Sequence, residues 1–138
     1  MRVEVQLTAE PIVPCRLIEP DHAGRAGACV EFTGVVRGEE KEQRIAALEY
    51  EAYPDMARRV MQALLARLGQ RHRCLSARVI HRVGIIPVGE AAIWLGITAS
   101  HRREAFALLA EFMDQLKQEV PIWKTRSIPF EAQRPHQS

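Results

Sequence analysis

Apolar and polar positions alternate from the start of the chain: Val3, Val5 and Leu7 fall on one side of "RVEVQL", and Arg2, Glu4 and Gln6 on the other. A period of two predicts a strand with one wet face. After the turn-rich "EPDHAGRAG", the segment "ACVEFTGVV" is rich in β-formers and predicts a second strand. It ends at Arg37-Gly38, where the charged "GEEKEQR" predicts a mobile loop. "IAALEYEAY" resumes the strand pattern until Pro54, whose fixed φ suits the first turn of a helix through "DMARRVMQALLARL", closed by Gly69. Met56, Val60, Leu64 and Leu68 recur every four residues as that helix's expected buried stripe, widened by Met61 and Leu65.

Two more strands are predicted in "ARVIHRVGII" and "EAAIWLGITA", joined by "PVGE" as a tight antiparallel connection. Ser100 is placed to cap a second helix, "HRREAFALLAEFMDQLKQE", in which Ala105, Leu109, Phe112 and Leu116 trace a buried face with Phe106 and Met113 beside them. Pro121 ends it, and a short irregular tail follows. Strands and helices in the order β, β, β, α, β, β, α read as an α+β fold with a mainly antiparallel sheet and two main helices packed against it.

Composition narrows the class without naming a reaction. A chain of 138 residues fits a single domain spanning 1–138. Apolar residues at 47% and charged residues at 26% exclude a disordered or fibrous chain. Apolar runs fall well short of the roughly 20 residues that cross a bilayer, and "MRVEVQLTAE" lacks the apolar centre of a signal peptide. The expected location is the cytoplasm, with no membrane partner. Cys15, Cys29 and Cys74 are odd in number and widely spaced, which argues against a disulfide framework or a metal site and for buried free thiols. A net charge of +2 indicates no nucleic-acid surface, although "RHRCLSARVIHR" holds four arginines without an acid and "SHRRE" groups three potential cations.

The candidate chemistry lies at both ends of the second helix. His101 and Arg102 occupy its first turn, where the positive end of the helix disfavours cations by up to about 1 kcal/mol. Two readings stand: both side chains face water, or they join the exposed amides in a phosphate or carboxylate site. Lys117 lies in the last turn, where a cation suits the helix by itself. Beyond it, Pro121 forces a bend that would fold Ile122-Trp123 back and bring Lys124 near Lys117. Two ammonium groups in one pocket would each disfavour the other's protonation, and such a lysine serves as base, nucleophile or anion clamp.

Five segments carry a resemblance: "FTGVVRG", "LEYEAYPDMA", "IHRVGIIPVGE", "ITASHRREAF" and "DQLKQEVPIWK". In this order, over about residues 28 to 124, they are similar to the catalytic, large subunit of molybdopterin synthase. The resemblance implies an α/β hammerhead fold. It implies transfer of sulfur from a small ubiquitin-like carrier, through that carrier's C-terminal Gly-Gly thiocarboxylate, to cyclic pyranopterin monophosphate, forming the dithiolene of molybdopterin. No cofactor or metal is implied, and the assembly is a homodimer of catalytic subunits within a heterotetramer.

Carried over by motif, Lys117 and Lys124 match the family's two essential lysines. Lys117 would assist acyl chemistry or proton transfer at the thiocarboxylate, and Lys124 would orient the pterin and stabilise charge. His101 and Arg102 match the substrate-binding pair, and Val35, Val36 and Arg37 match the strand end that completes the pocket, so all these groups are expected to share one anion site. The chain departs from the pattern at Thr125-Arg126, where the family commonly has a basic residue and then a glutamate. These two positions are also assigned to the substrate site. The departure supports an alternative, a catalytically weakened paralogue that binds the carrier as an interaction module. The tail does not resemble the usual ending, and Arg134 is its candidate for a basic residue lent to a neighbouring subunit.

Overall fold

Pro54 starts the longest helix, as its fixed φ allows, but the helix then runs past Gly69. In this computed structural model residues 1–13 and 24–131 are described. The elements are β1 (Arg2–Thr8), β2 (Ala28–Val35), β3 (Glu39–Glu40), β4 (Gln43–Ala52), α1 (Pro54–His72), β5 (Cys74–Arg82), β6 (Gly84–Pro87), β7 (Ala91–Ala99), α2 (Arg102–Glu119) and β8 (Ile122–Pro129). Cys15, Arg134 and most of the predicted turn before β2 lie outside the described residues.

The strands form two sheets. The first has the order β1-β5-β7-β2, with β1 parallel to β5 and β7 antiparallel to both neighbours. Both helices cover one face of it. Leu64, Leu65 and Leu68 of α1 and Leu108 and Phe112 of α2 meet Val79, Leu95 and Ile97 there, with Val3, Val5 and Leu7 packed at the margin. Fully burying each large side chain contributes about 1.5–3 kcal/mol. The second sheet centres on β4, which pairs with β3, β6 and β8, all antiparallel. It has its own small core of Val36, Ile45, Leu48 and Ile86. The fold is thus α+β, mainly antiparallel, with two helices.

Several sequence expectations shift. Gly69 does not end α1: its site is filled by Met1, whose Cε would lie 2.4 Å from an added Cβ. The helix closes instead at Arg73 in the left-handed region, φ 56°, donating its N–H to the Gly69 carbonyl. Its buried stripe holds at Met61, Leu64, Leu65 and Leu68 and fails only at its start, where Ala57 is fully buried and Met56 is half exposed. In α2 Ala105, Phe112 and Leu116 are buried as read, Leu108 joins them, and Phe106 is exposed. Ser100 does not cap α2; His101 takes the cap position without a side-chain bond.

"ARVIHRVGII" is two strands. The break falls at Val83, and Gly84, φ 87°, opens β6 as the chain leaves the first sheet for the second. β5 and β7 do pair antiparallel, but "PVGE" links β7 to β6, which pairs with β4. The expected loop "GEEKEQR" is largely a hairpin of β3 and β4, and the tail is the strand β8. Nor are both described thiols buried: Cys29 is exposed. Cys74 is buried, and its thiol is pushed up to about 11 by lost hydration and by the charge of Glu104.

The arginine-rich segment forms no open cationic patch. Arg71 pairs with Glu111, Arg78 with Glu4 at 2.6 Å and Arg82 with Glu90 at 2.7 Å. Its acids arrive from other elements.

Candidate functional site

The hairpin from β3 to β4 turns through Lys41 and Glu42, at φ 50° and 65°. Positive φ at both central residues matches the twist of paired strands, and Asn-Gly usually supplies it. With Lys-Glu in those places, each residue carries a cost of roughly 1 kcal/mol. This tight turn fixes Glu40 opposite Gln43 and aims it across the sheet toward β8.

On β8, Lys124 lies opposite Tyr50 and Arg126 opposite Glu49, so Thr125 is the extra residue of a bulge in the β4–β8 ladder. Lys124 Nζ donates to Glu40 Oε1 at 2.6 Å, and Ser127 Oγ donates to Glu40 Oε2 at 3.5 Å. The Lys124 hydrogen bond holds the Glu40 carboxyl below its ordinary range; lost hydration opposes it, and the charges of Lys124 and Arg37 reinforce it. Arg37 is therefore close enough for its charge to act on the same carboxylate. Arg126 Nε donates to Glu49 Oε1 at 2.8 Å.

Around these groups lie two adjoining depressions. One, of about 610 Å³, is lined by Glu40, Lys41, Arg44, Lys124, Thr125 and Arg126 among others. The second, of about 710 Å³, takes in Arg37, Gly38, Glu39 and Glu42 and shares Lys41 and Arg44 with the first. Trp123 does not fold back onto the helix end. It enters β8 opposite Glu51, with its ring 5.1 Å from that of Tyr53.

The structure brings together only part of the expected constellation. Arg37, Lys124, Thr125 and Arg126 share the crescent at the hairpin and β8. Lys117 is exposed in the last turn of α2, lines neither depression and makes no ion pair among the described residues. The strong charged neighbour of Lys124 is the carboxylate of Glu40, not a second ammonium. Val35 is half exposed, whereas Val36 is buried with both backbone groups engaged: its N–H donates to the Glu90 carbonyl at 3.0 Å, and its carbonyl accepts from Gly89 at 2.9 Å.

His101 and Arg102 line a separate depression of about 490 Å³ at the start of α2, with Arg103, Glu104 and Phe106. The first amides of α2, having no side-chain cap, are left to water or to a ligand. Sixteen residues of helix separate His101 from Lys117, a distance of about 24 Å along the axis. One chain cannot bring these two ends into one pocket.

Glu40, Glu49 and Ser127 were not anticipated at the site. The Glu40–Lys124 contact spans 84 positions, and only the alternation hidden in "EEKEQR" hints at a strand that could deliver the acid.

A two-sheet, two-helix α+β architecture, whose crescent sets Arg37, Lys41, Arg44, Lys124 and Arg126 among Glu39, Glu40 and Glu42, defines the structural class. The profile of the family described as MoaE protein matches residues 7–119. The chain is 35% identical over 120 residues to the molybdopterin synthase catalytic subunit of Thermoplasma volcanium, covering 87% of this chain and 88% of that protein. To the subunit of the same name from Caulobacter vibrioides it is 37% identical over 127 residues, with 91% and 83% covered. In three dimensions it resembles molybdopterin synthase from Staphylococcus aureus, with a TM-score of 0.76, 25% identity and 92% of both chains covered. The chain belongs to the MoaE family.

Proposed function

We propose that this chain is the catalytic subunit of a molybdopterin synthase, a sulfurtransferase of molybdenum cofactor biosynthesis acting in the cytoplasm as one domain over 1–138. Its substrate is cyclic pyranopterin monophosphate, and its sulfur donor is the C-terminal thiocarboxylate of a small ubiquitin-like carrier. The observation that carries this reading is the family match over residues 7–119, with relatives of that name aligned over most of their length.

The geometry supports a division of labour. Lys124 and Arg37, already gathered around one carboxylate, suit an anionic group of the pterin, while Lys117, which makes no ion pair among the described residues, suits work at the carrier's thiocarboxylate carbon. The separation of about 24 Å between the two ends of α2 is resolved by a homodimer in which His101 and Arg102 of one chain complete the pterin pocket of the other. One carrier at each end makes the assembly a heterotetramer. Thr125 and Arg126 border the pocket, and Val35 and Val36 form its strand-end wall.

The test is to mix purified protein with thiocarboxylated carrier and cyclic pyranopterin monophosphate and to follow molybdopterin formation. Turnover supports the assignment. Carrier binding without product would favour the weakened paralogue, for which the Thr125-Arg126 departure is the motive.

A further inference from the structure

We propose that Glu40 is a positioning residue for Lys124: it holds the ammonium at rest on the rim of the depression and competes with the substrate's anionic group for it. The inference rests on the reading of Lys124 as an anion-binding lysine.

Four observations support it. The Lys124–Glu40 hydrogen bond, at 2.6 Å, is short and charge-assisted. The carboxylate's other oxygen is met by Ser127 Oγ at 3.5 Å, from the same strand as Lys124. Glu40 is thus bound to two groups of β8, and its placement does not depend on a single flexible lysine.

The arm that presents it is also constrained. β3 is only two residues long, and the turn after it holds Lys41 and Glu42 at positive φ without a glycine. Such a turn persists where its surroundings over-determine it. The Glu40 contacts to β8 are what the hairpin gains across the sheet.

Charge partition makes the pairing specific. Arg126, two residues from Lys124, has its own acid in Glu49 at 2.8 Å, which leaves Glu40 to Lys124 and, at longer range, to Arg37. With its side chain only 23% exposed, Glu40 keeps an anion in the depression before substrate arrives. A substrate phosphate then exchanges one anion for another at a lysine already in place, so part of its attraction is spent on displacing Glu40 while little ordering of the lysine remains to be done.

The test is a binding cycle on the full-length protein with inorganic phosphate and with cyclic pyranopterin monophosphate, using the parent, Glu40→Gln, Lys124→Ala and the double variant. Glu40→Gln keeps the shape and removes the competing charge. It should tighten both ligands about threefold, the range of an exposed ion pair, and the gain should vanish in the Lys124→Ala background. In turnover, Glu40→Ala, which also removes the anchor, should lower kcat without raising KM. A contact that merely braces the hairpin would instead raise KM and leave the affinity of Glu40→Gln at or below the parent's.

The proposal is overturned if Glu40→Gln fails to tighten phosphate, or if the gain persists without Lys124. Because the binding cycle needs no turnover, it reports on Glu40 even if the parent makes no molybdopterin, an outcome that would remove the enzymatic assignment alone.

Discussion

Lys117 and Lys124 are seven positions apart and chemically identical, yet the fold treats them in opposite ways. Lys117 lies in the last turn of a helix, stands in solvent and makes no ion pair among the described residues, while Lys124 sits on a strand with a carboxylate 2.6 Å from its ammonium. The same contrast separates the two ends of the candidate site. At the hairpin Lys124 and Arg126 have acids drawn from distant segments. At the start of α2, His101 and Arg102 make no ion pair among the described residues. A charge already partnered is pre-organised, and a charge left bare is available. The molecule places one kind at each part of the chemistry proposed for it.

The largest effect should come from removing either lysine. Lys117→Ala and Lys124→Ala are each expected to reduce molybdopterin formation by about 100-fold or more, since a group acting on developing charge is worth that much. Stability should separate them. Lys117→Ala should cost under about 0.5 kcal/mol in denaturant unfolding, as at other surface positions, whereas Lys124→Ala leaves Glu40 without its partner and should cost up to about 1 kcal/mol. Parent-like turnover in both would end the catalytic assignment.

A second experiment addresses the distance between the ends of α2. A chain carrying His101→Ala and Arg102→Ala, and a chain carrying Lys124→Ala, should each be inactive. Mixed and allowed to exchange subunits, they should recover about a quarter of parental activity if each site draws on both chains, because half of the dimers then hold one intact site of two. No recovery under demonstrated exchange would place the site within a single chain.

Arg126→Glu is smaller in effect and tests the departure from the family pattern. It sets two carboxylates opposite each other where Arg126 now meets Glu49, and like charges in directly facing strand positions should cost about 1 kcal/mol or less. A lower denaturation midpoint is therefore expected even if turnover rises. Activity recovered from a silent parent would locate the defect at this residue.

The smallest effect is that of pH on the Glu40–Lys124 pair. The carboxyl's folded value lies below its ordinary 4.5, so its contribution is fully present above that ordinary value and is lost as pH falls through the lowered one. Under about 1 kcal/mol is expected for a pair this exposed. Comparing acid unfolding of the parent with Glu40→Gln measures it, and identical acid limbs would show that the pair adds nothing to stability.

Much of this was legible in the chain. The alternation of Val3, Val5 and Leu7, the proline start of α1 and the apolar periods of both helices are local patterns, and they foretold an α+β fold. Where they failed, the deciding contact was remote. Gly69 looked like a helix stop, but it faces Met1. "EEKEQR" looked like a loop because no apolar residue marks its short strand, which exists by pairing with β4. β8 looked irregular because its residues alternate weakly and its ladder is bulged at Thr125.

The site divides in the same way. The sequence by itself determined which cations are present, that Lys117 and Lys124 stand on either side of a proline, and which family carries that arrangement, because these are matters of residue type and spacing. Only the tertiary structure decided that Lys124 rests on Glu40, that Arg126 is neutralised by Glu49, and that Lys117 lines neither depression at the hairpin. Coulomb attraction and hydrogen bonding depend on distance through space. The sheet that brings Glu40 to Lys124 joins residues that the linear chain keeps 84 positions apart.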